Sequence, residues 1–236
     1  MVEPRIVSHE EWLEARTELL KKEKEFSRLR DQIAQQIRDL PWEQVDKQYV
    51  FDCPDGKESL ADLFAGRSQL LVYHFMFGPN NAEGCPSCSL MADHYDPIVI
   101  HLNQRDVTFV TVSRAPLDKL QAYRKRMGWH FKWVSSYNND FNWDYHVSFK
   151  PEALEKKDID YNYTKGNAFQ MSEMPGLSVF YKDEAGAVFH TYSTYARGLD
   201  SFLGVYRFLD IVPKGRDEAN LPFSMAWIRR HDSYET

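Results

Sequence analysis

The apolar residues at the start of the chain recur with a helical period. Ser8 and Glu11 are spaced as a capping box, and the apolar positions that follow lie seven residues apart, at Trp12, Leu19, Phe26, Ile33 and Leu40. This pattern predicts one amphipathic helix from residue 8 to about residue 40. Pro41 ends it, because the residue before a proline avoids the α region. The helix either packs along its own domain or pairs with a second chain, and so few heptads do not decide between the two.

Apolar runs and amphipathic segments alternate through the next part of the chain. Three apolar runs predict buried strands, at residues 69–77, 107–113 and 130–136. Helices are predicted between them, at residues 85–104 and 117–127. Such alternation is typical of parallel strands joined by helical crossovers. Ahead of them, "YVFDCPDGKESL" contains an Asp-Gly turn between two short apolar segments, which predicts a β-hairpin.

The second half of the chain is less regular. Residues 138–173 are polar and rich in aromatic residues without a clear period, which predicts an insertion. A hairpin is predicted over residues 174–193, with its turn near 184–186, and a helix over about 199–210. We therefore predict an N-terminal helical arm (1–46), an α/β domain (47–212) and a C-terminal tail (213–236) that packs back on the domain.

Composition and charge narrow the class of protein. The formal net charge of −6 argues against nucleic acid or an anionic membrane as the main partner. No apolar run is long enough to span a bilayer, and the polar start "MVEPRIVSHEEW" does not resemble a secretory signal. We therefore expect a cytoplasmic protein. In a reducing compartment, a close cysteine pair is more often catalytic or metal-binding than structural.

Two of the three cysteines lie three positions apart, in "AEGCPSCSL". Pro86 suits the first position of a helix, which makes Cys85 the N-cap residue. The free N–H groups and the positive end of the helix would stabilise a thiolate there, so Cys85 is the predicted nucleophile. Cys88 follows one turn later on the same face, where it could close a disulfide and act as the resolving thiol. Glu83 opposes the lowering of the Cys85 pKa.

Metal binding and inert packing are the alternatives for this pair. A metal would need further ligands, and the candidates are Cys53, His74, His94, His101 and His130. No second CxxC and no close histidine pair exists in the sequence, whereas zinc sites usually combine two such pairs. We therefore predict no metal and no cofactor. Cys53 is expected to be a small apolar residue near the first strand, with a relay to the pair as the alternative.

The order of elements and several motifs resemble known proteins. A buried strand, a loop, CxxC at a helix start, a further strand and a Pro-led hairpin resemble the thioredoxin arrangement. The segments "GCPSCSLMADH", "RMGWHFKWVSS" and "VFHTYSTYARGLD" resemble the bacterial DUF899 family, a thioredoxin-like group of predicted dithiol-disulfide oxidoreductases. The resemblance implies a thioredoxin-like α/β fold. It also implies a cis peptide bond before Pro175, with Met174 and Gly176 offering backbone atoms to an extended substrate.

Two departures from better-known relatives bear on the reaction. Gly84 stands where thioredoxins have a tryptophan, so the aromatic platform for protein disulfides is missing. Ala82 stands where peroxiredoxins have a hydroxyl residue, so a peroxidase reaction is expected to be slow. Arg114 or Arg197 could hold the thiolate as a peroxiredoxin arginine does, and surface ion pairing is the alternative for each.

Other residues have candidate roles beside the pair. By resemblance to the buried carboxylate of thioredoxins, His74 could accept the proton of Cys88, or it could be a core histidine bonded to a backbone carbonyl. Tyr195 and Arg197 could line a substrate pocket, but they could equally anchor the tail through His231 and Asp232. The aromatic residues Trp129, Trp133, Trp143 and Tyr145 either wall a cleft or bury the insertion.

The sequence thus predicts a thioredoxin-like α/β fold with an N-terminal helical extension and an insertion before a cis-Pro hairpin. The leading function is a thiol-disulfide oxidoreductase, in which Cys85 attacks a disulfide or small oxidant and Cys88 resolves the intermediate. A peroxiredoxin-like peroxidase and a non-catalytic metal-binding or redox-sensing protein are the alternatives. The expected partner is an unknown disulfide or small-molecule substrate, with no nucleic acid and no membrane. A homodimer through the N-terminal helix is possible.

Overall fold

The computed structural model describes residues 4–167 and 171–235, and the chain divides into two compact units, Met1–Pro41 and Trp42–Thr236. The first unit is built on helix α1 (His9–Arg38). The predicted capping box is confirmed, since the Ser8 side chain accepts a hydrogen bond from the backbone N–H of Glu11 at 3.2 Å. The second unit begins before residue 47, because the two residues of strand β1 pair with the last strand of its sheet.

One mixed sheet of eight strands forms the second unit, in the order β1-β10-β9-β4-β5-β6-β2-β3. A separate pair of strands, β7 and β8, lies within the predicted insertion. The strands are β1 (Glu43–Gln44), β2 (Val50–Cys53), β3 (Gly56–Ser59), β4 (Gln69–His74), β5 (Val107–Ser113), β6 (Lys132–Ser135), β7 (Ile159–Tyr161), β8 (Thr164–Asn167), β9 (Gly176–Lys182) and β10 (Val188–Tyr195). The hairpins β2–β3 and β9–β10 are both antiparallel, as the turn residues predict.

The predicted thioredoxin-like arrangement is confirmed in the centre of the sheet. Strands β4, β5 and β6 are parallel neighbours, and β9 lies antiparallel on the other side of β4. The loop after β4 leads into the helix that carries the cysteine pair. This connection places the start of that helix at the carboxyl end of a central strand.

Short helices connect and flank the strands: α2 (Pro86–Ala92), α3 (Tyr95–Asn103), α4 (Leu117–Arg126), α5 (Phe141–Asp144), α6 (Pro151–Lys156) and α7 (Gly204–Leu209). The single helix predicted over residues 85–104 is therefore two. Pro97 explains the break, because it has no N–H to donate to the Asp93 carbonyl and its ring would clash there in a continuous helix. The first part of the helix predicted over 199–210 is instead a 3-10 helix, Ala196–Phe202. No helix of the described residues has the length and apolar character to cross a membrane.

Each face of the sheet has its own hydrophobic core. Side chains alternate along β4, so Tyr73 and Phe75 belong to the core that also contains Cys88. Leu70 and Val72 point the other way, into a core that contains Cys53. We call these the cysteine face and the opposite face.

The insertion is structured and has a small core of its own. Val147, Phe149, Ile159 and Tyr161 pack together with Tyr195 of strand β10. Its chain also pairs with the segment before the β9–β10 hairpin, through an antiparallel bridge between Ser148 and Glu173. The lack of a clear period in the sequence reflects this build, since elements of three to six residues are too short to show one.

Candidate active site

Cys85 is the N-cap residue of α2, and Pro86 occupies the first turn of the helix, as their order in the sequence predicts. The backbone N–H of Cys85 is bound by the Met76 carbonyl at 3.2 Å, which ties the start of α2 to the chain leaving β4. Cys85 is half-buried and lines a cavity of about 490 Å³, which we call the thiol cavity. Cys85 therefore borders the space that a small molecule entering this cavity would occupy.

The surroundings of Cys85 lower the pKa of its thiol from 9.0 to about 7. The largest cause is a hydrogen bond from the Cys88 thiol, followed in effect by the backbone N–H groups of Cys88 and Ser87 at the start of the helix. The positive charge of Arg230 acts in the same direction, while burial opposes it. Cys85 is thus ionised to a much greater extent at neutral pH than an ordinary cysteine.

Cys88 has the opposite character. It is buried, and burial together with the neighbouring Cys85 sulfur raises the pKa of its thiol well above the usual value. The Tyr73 hydroxyl and the Met76 backbone hydrogen-bond to Cys88 and lower this pKa only in part. Cys88 is therefore a protonated thiol at neutral pH, held beside a thiolate.

The C-terminal tail supplies the cation near Cys85. The Arg230 guanidinium donates hydrogen bonds to the Gly84 carbonyl at 2.8 Å and to the Tyr123 hydroxyl at 3.0 Å. It also pairs with Glu83 at 2.9 Å. Sequence reasoning missed Arg230, because 146 positions separate it from Gly84 and no local pattern marks it.

The tail is held by further contacts beside this arginine. Asp232 pairs with Arg126 of α4 at 2.7 Å, and His231 contacts Asp93 at the end of α2 at 2.7 Å. Ile228 is buried against the domain. The partners of His231 and Asp232 therefore lie at α2 and α4, whereas the sequence pointed to Tyr195 and Arg197.

Gly84 leaves no room for the side chain that thioredoxins carry at this position. A Cβ atom there would lie 2.8 Å from the rings of Phe75 and Tyr123. The Tyr123 hydroxyl is 2.9 Å from the Ser89 hydroxyl, which donates to the Cys85 carbonyl at 2.9 Å. The missing tryptophan is thus replaced by internal aromatic rings that hold the first turn of α2.

Glu173 is a second titratable group in the thiol cavity. Its side chain is 6% exposed and bonds to the Ser148 hydroxyl, while Arg114 lies 3.4 Å away. Burial raises the pKa of this carboxyl to about 7, although Ser148 and Arg114 both act to lower it. Sequence reasoning did not single out Glu173, which precedes the hairpin at the end of the insertion.

The prediction that His74 accepts the Cys88 proton is wrong. His74 lies on the opposite face, stacked on Phe141 and Tyr145 at 5.6 and 6.0 Å between ring centroids. Its Nε2 atom is 2.8 Å from the Ser178 hydroxyl, and burial lowers the pKa of its imidazole to about 3. The alternation along β4 presents Tyr73, one position earlier, to Cys88.

The predicted cis peptide bond before Pro175 is also wrong, since every peptide bond among the described residues is trans. The trans form is the lower in energy by roughly 0.5–1 kcal/mol for X-Pro bonds. The insertion holds the backbone on both sides of this bond. The N–H of Met174 donates to the Val147 carbonyl at 2.8 Å, and the Tyr161 hydroxyl donates to the Pro175 carbonyl at 2.8 Å.

Neither Met174 nor Gly176 offers the free backbone that an extended substrate would need. The Met174 N–H is bound to the insertion, and Gly176 is paired between His74 of β4 and Tyr195 of β10. A Cβ on Gly176 would lie 2.8 Å from the Tyr195 ring, so this glycine serves close packing. The insertion therefore fills the place that the resemblance assigned to a peptide.

The remaining predicted residues have structural partners. Arg114 lies over the Trp143 ring at 4.2 Å and contacts Glu173, whose side chain lines the thiol cavity. Tyr195 is buried and donates to the Tyr145 carbonyl at 3.1 Å, so it anchors the insertion and not the tail. Arg197 is 86% exposed and pairs with Asp200 at 3.0 Å, three residues away, which is the surface ion pair that the sequence analysis gave as its alternative.

Cys53 is separated from the pair by the sheet. It is buried in the core of the opposite face, and burial raises the pKa of its thiol to about 12. This position supports the prediction of a small apolar residue and excludes a direct relay to Cys85. Among the described residues, no group of three or more histidine, cysteine or acidic side chains is placed to hold a metal ion.

We compared the chain with protein-family models and with curated protein sequences. A family model described as "Bacterial protein of unknown function (DUF899)" matches residues 1–234. No curated protein sequence matches the chain. The family match covers almost the whole length, so it includes the cysteine pair, the insertion and the tail that carries Arg230.

Several solved structures are similar to this chain. Peroxidoxin BcpB from Mycobacterium tuberculosis has 12% identity and a TM-score of 0.46, covering 72% of this chain and 97% of its own. A cysteine mutant of peroxiredoxin Q from Xanthomonas campestris has 12% identity and a TM-score of 0.48, covering 72% and 98%. The mitochondrial 2-Cys peroxiredoxin from Plasmodium falciparum has 14% identity and a TM-score of 0.40, covering 72% and 92%. At such identities the likeness concerns the fold and not the reaction.

Proposed function

The chain belongs to the DUF899 family, described as bacterial proteins of unknown function, and we propose that it is a dithiol-disulfide oxidoreductase. The observation that carries this proposal is the opposite behaviour of two neighbouring thiols. The Cys85 pKa is lowered to about 7, and the Cys88 pKa is raised well above its usual value. Thiolates attack disulfides and thiols do not. Cys85 is therefore suited to attack the substrate, and Cys88 is suited to act later as the resolving thiol.

The proposed reaction has two exchange steps. The Cys85 thiolate attacks one sulfur of the substrate disulfide, and the other sulfur leaves with the electron pair as a thiolate. Cys88 then loses its proton and attacks the Cys85 sulfur, which expels the second substrate thiolate and leaves a Cys85–Cys88 disulfide. The substrate gains two electrons and the protein loses two, so a thiol reductant must restore the dithiol.

The contacts around the pair favour a low-molecular-weight substrate. The strand edge that would bind an extended peptide is covered by the insertion, through Val147 and Tyr161. The thiol cavity, of about 490 Å³, lies within the size range of small-molecule sites. A small disulfide therefore fits this site better than a folded protein.

A peroxide is the alternative oxidant for the same thiolate. The Arg230 charge beside Cys85 favours this reaction, since a cation also stabilises the negative charge that develops on a peroxide oxygen. Ala82 offers no hydroxyl to orient the peroxide, so we expect slow turnover. Consumption of hydrogen peroxide or cumene hydroperoxide faster than that of any disulfide would establish the peroxidase as the main activity.

The decisive experiment compares the two cysteine variants with reduced wild-type protein. With hydroxyethyl disulfide, Cys88→Ser should form a stable mixed disulfide on Cys85, seen as a mass increase by one substrate half. Cys85→Ser should form none, and both variants should lose turnover driven by dithiothreitol. Full turnover in both variants would overturn the proposal.

A further inference from the structure

Glu173 has no part in the exchange steps described so far, yet it lines the thiol cavity together with Cys85. Its side chain is 6% exposed. A carboxyl group is rarely buried to this degree without a compensating role or partner. Arg114, its nearest cation, is shared with the ring of Trp143.

Two side chains hold the carboxyl of Glu173, a residue that lines the cavity. Ser148 fixes it from the insertion and Arg114 from the end of β5. Gly78 allows this close approach, since a Cβ there would lie 3.1 Å from a Glu173 carboxyl oxygen. The other charged or titratable groups of the cavity are Cys85, Glu83 and Arg230, and these belong to the cysteine loop and the tail.

We propose that Glu173 is the acid that protonates the group leaving when Cys85 attacks its substrate. This role rests on the redox function proposed above. A nucleophile that is already a thiolate brings no proton, so without an acid the other sulfur leaves as a basic thiolate, and an acid beside it would make it a better leaving group. Burial raises the Glu173 pKa to about 7, so this carboxyl keeps its proton to far higher pH than an ordinary glutamate, which suits a general acid.

The step balances in bonds and protons. The Cys85 sulfur forms a new S–S bond with one substrate sulfur, and the original S–S bond breaks. The departing sulfur takes the bonding electron pair and receives the proton of Glu173, so it leaves as a neutral thiol. Glu173 is left as a carboxylate, stabilised by Ser148 and Arg114, and regains a proton from solvent after the product leaves.

The experiment uses two disulfides that differ in the basicity of the leaving thiolate. Hydroxyethyl disulfide releases a basic thiolate that benefits from a proton, whereas the nitrobenzoate disulfide used for thiol titration releases a very weak base that does not. Glu173→Gln keeps the size of the side chain and one of its two acceptor oxygens but has no acidic proton. Reaction of reduced protein with each disulfide is followed in a single turnover across pH.

We expect Glu173→Gln to slow attack on hydroxyethyl disulfide by roughly tenfold to a hundredfold and to leave attack on the nitrobenzoate disulfide nearly unchanged. The bell-shaped pH profile of the first reaction should lose its descending limb. Ser148→Ala keeps the acid but removes a hydrogen bond that holds the Glu173 pKa down, so its descending limb should move to higher pH.

Two results would count against the inference and differ from each other. An equal loss with both disulfides in Glu173→Gln, together with an unmoved limb in Ser148→Ala, would show that Glu173 only supports the fold. If wild-type Cys85 reacted with neither disulfide, the proposed function itself would fail, and the acid role with it.

Discussion

Cys53 and Cys85 contact opposite faces of the sheet, and their thiol pKa values are shifted in opposite directions. On the opposite face, burial is the largest cause: the Cys53 pKa rises to about 12 and the His74 pKa falls to about 3, with the charges of Glu58 and His190 acting in the same directions, so both groups stay neutral. On the cysteine face, Cys85 is also partly buried, yet its pKa falls to about 7. A helix start, a second thiol and a guanidinium outweigh the cost of burial there.

The pKa shifts differ because the groups have different neighbours. His74 has the Ser178 hydroxyl and two aromatic rings as neighbours, none of which carries a negative charge to stabilise an imidazolium, and a charge on His190 would oppose it. Cys53 contacts the Phe51 carbonyl at 3.8 Å, an acceptor that disfavours a thiolate, and the Glu58 carboxylate nearby disfavours it further. A thiol becomes reactive in this protein through donors aimed at its sulfur, and not through its position in a core.

The largest expected effect tests which face carries the reaction. Cys85→Ser should abolish disulfide turnover, because no other thiolate is present at neutral pH. Cys53→Ser should leave turnover per folded molecule unchanged, since its thiol is neutral and lies across the sheet. A dithiothreitol-coupled assay measures turnover in both variants. Loss of turnover in folded Cys53→Ser would contradict the proposal that only the cysteine face carries the reaction.

The second prediction concerns stability against pH on the two sides. His74 has a folded pKa of about 3 and an ordinary value of 6.5, so the unfolded chain binds more protons in between and stability falls as pH drops below 6.5. Glu173 has a folded pKa of about 7 and an ordinary value of 4.5, so the folded chain binds more protons and stability falls as pH rises from 4.5 through 7.

Between pH 4.5 and 6.5 these two slopes oppose each other, each by about 1.4 kcal/mol per pH unit at most. The free energy of unfolding, measured with urea across this range, should have a more negative slope against pH in His74→Gln than in wild type. In Glu173→Gln the slope should be more positive than in wild type. If the free energy of unfolding had the same slope against pH in both variants and in wild type, the pKa shifts of His74 and Glu173 on which this prediction rests would be contradicted.

A smaller effect is expected from the tail. Arg230→Ala removes a positive charge beside Cys85, so the Cys85 pKa should rise and alkylation by iodoacetamide at pH below that value should slow by up to about tenfold. Arg229→Ala is the matched control, because Arg229 bonds to the Ala226 and Ile228 carbonyls of its own segment. If Arg230→Ala and Arg229→Ala had the same alkylation rate at every pH, the claim that Arg230 lowers the Cys85 pKa would be contradicted.

The smallest effect separates two neighbours on β4. Tyr73→Phe removes a hydroxyl that lowers the Cys88 pKa, so the mixed disulfide on Cys85 should persist a few-fold longer before Cys88 resolves it. His74→Gln should leave that lifetime unchanged, since its side chain lies across the sheet. Quenched-flow mass analysis of the adduct measures both lifetimes. A longer lifetime in His74→Gln than in Tyr73→Phe would contradict the assignment of Tyr73 to the face of β4 that contacts Cys88.

The sequence by itself determined the local elements around the pair. The capping box of α1, the strand at 107–113, both hairpins and the N-cap position of Cys85 all follow from patterns spanning a few residues. These features depend on backbone conformation and on hydrogen bonds within one turn. The resemblance to the thioredoxin arrangement extended this to the order of the central strands.

Only the tertiary structure decided which partners meet the cysteines. Arg230 reaches Gly84 across 146 positions, and the insertion covers the segment around Pro175 that the resemblance left open to a peptide. The choice between Tyr73 and His74 depended on which face of β4 meets α2, and a strand buried on both sides shows no polarity that marks it. Charge and contact at this site come from segments far apart in the chain, and their meeting is fixed by packing.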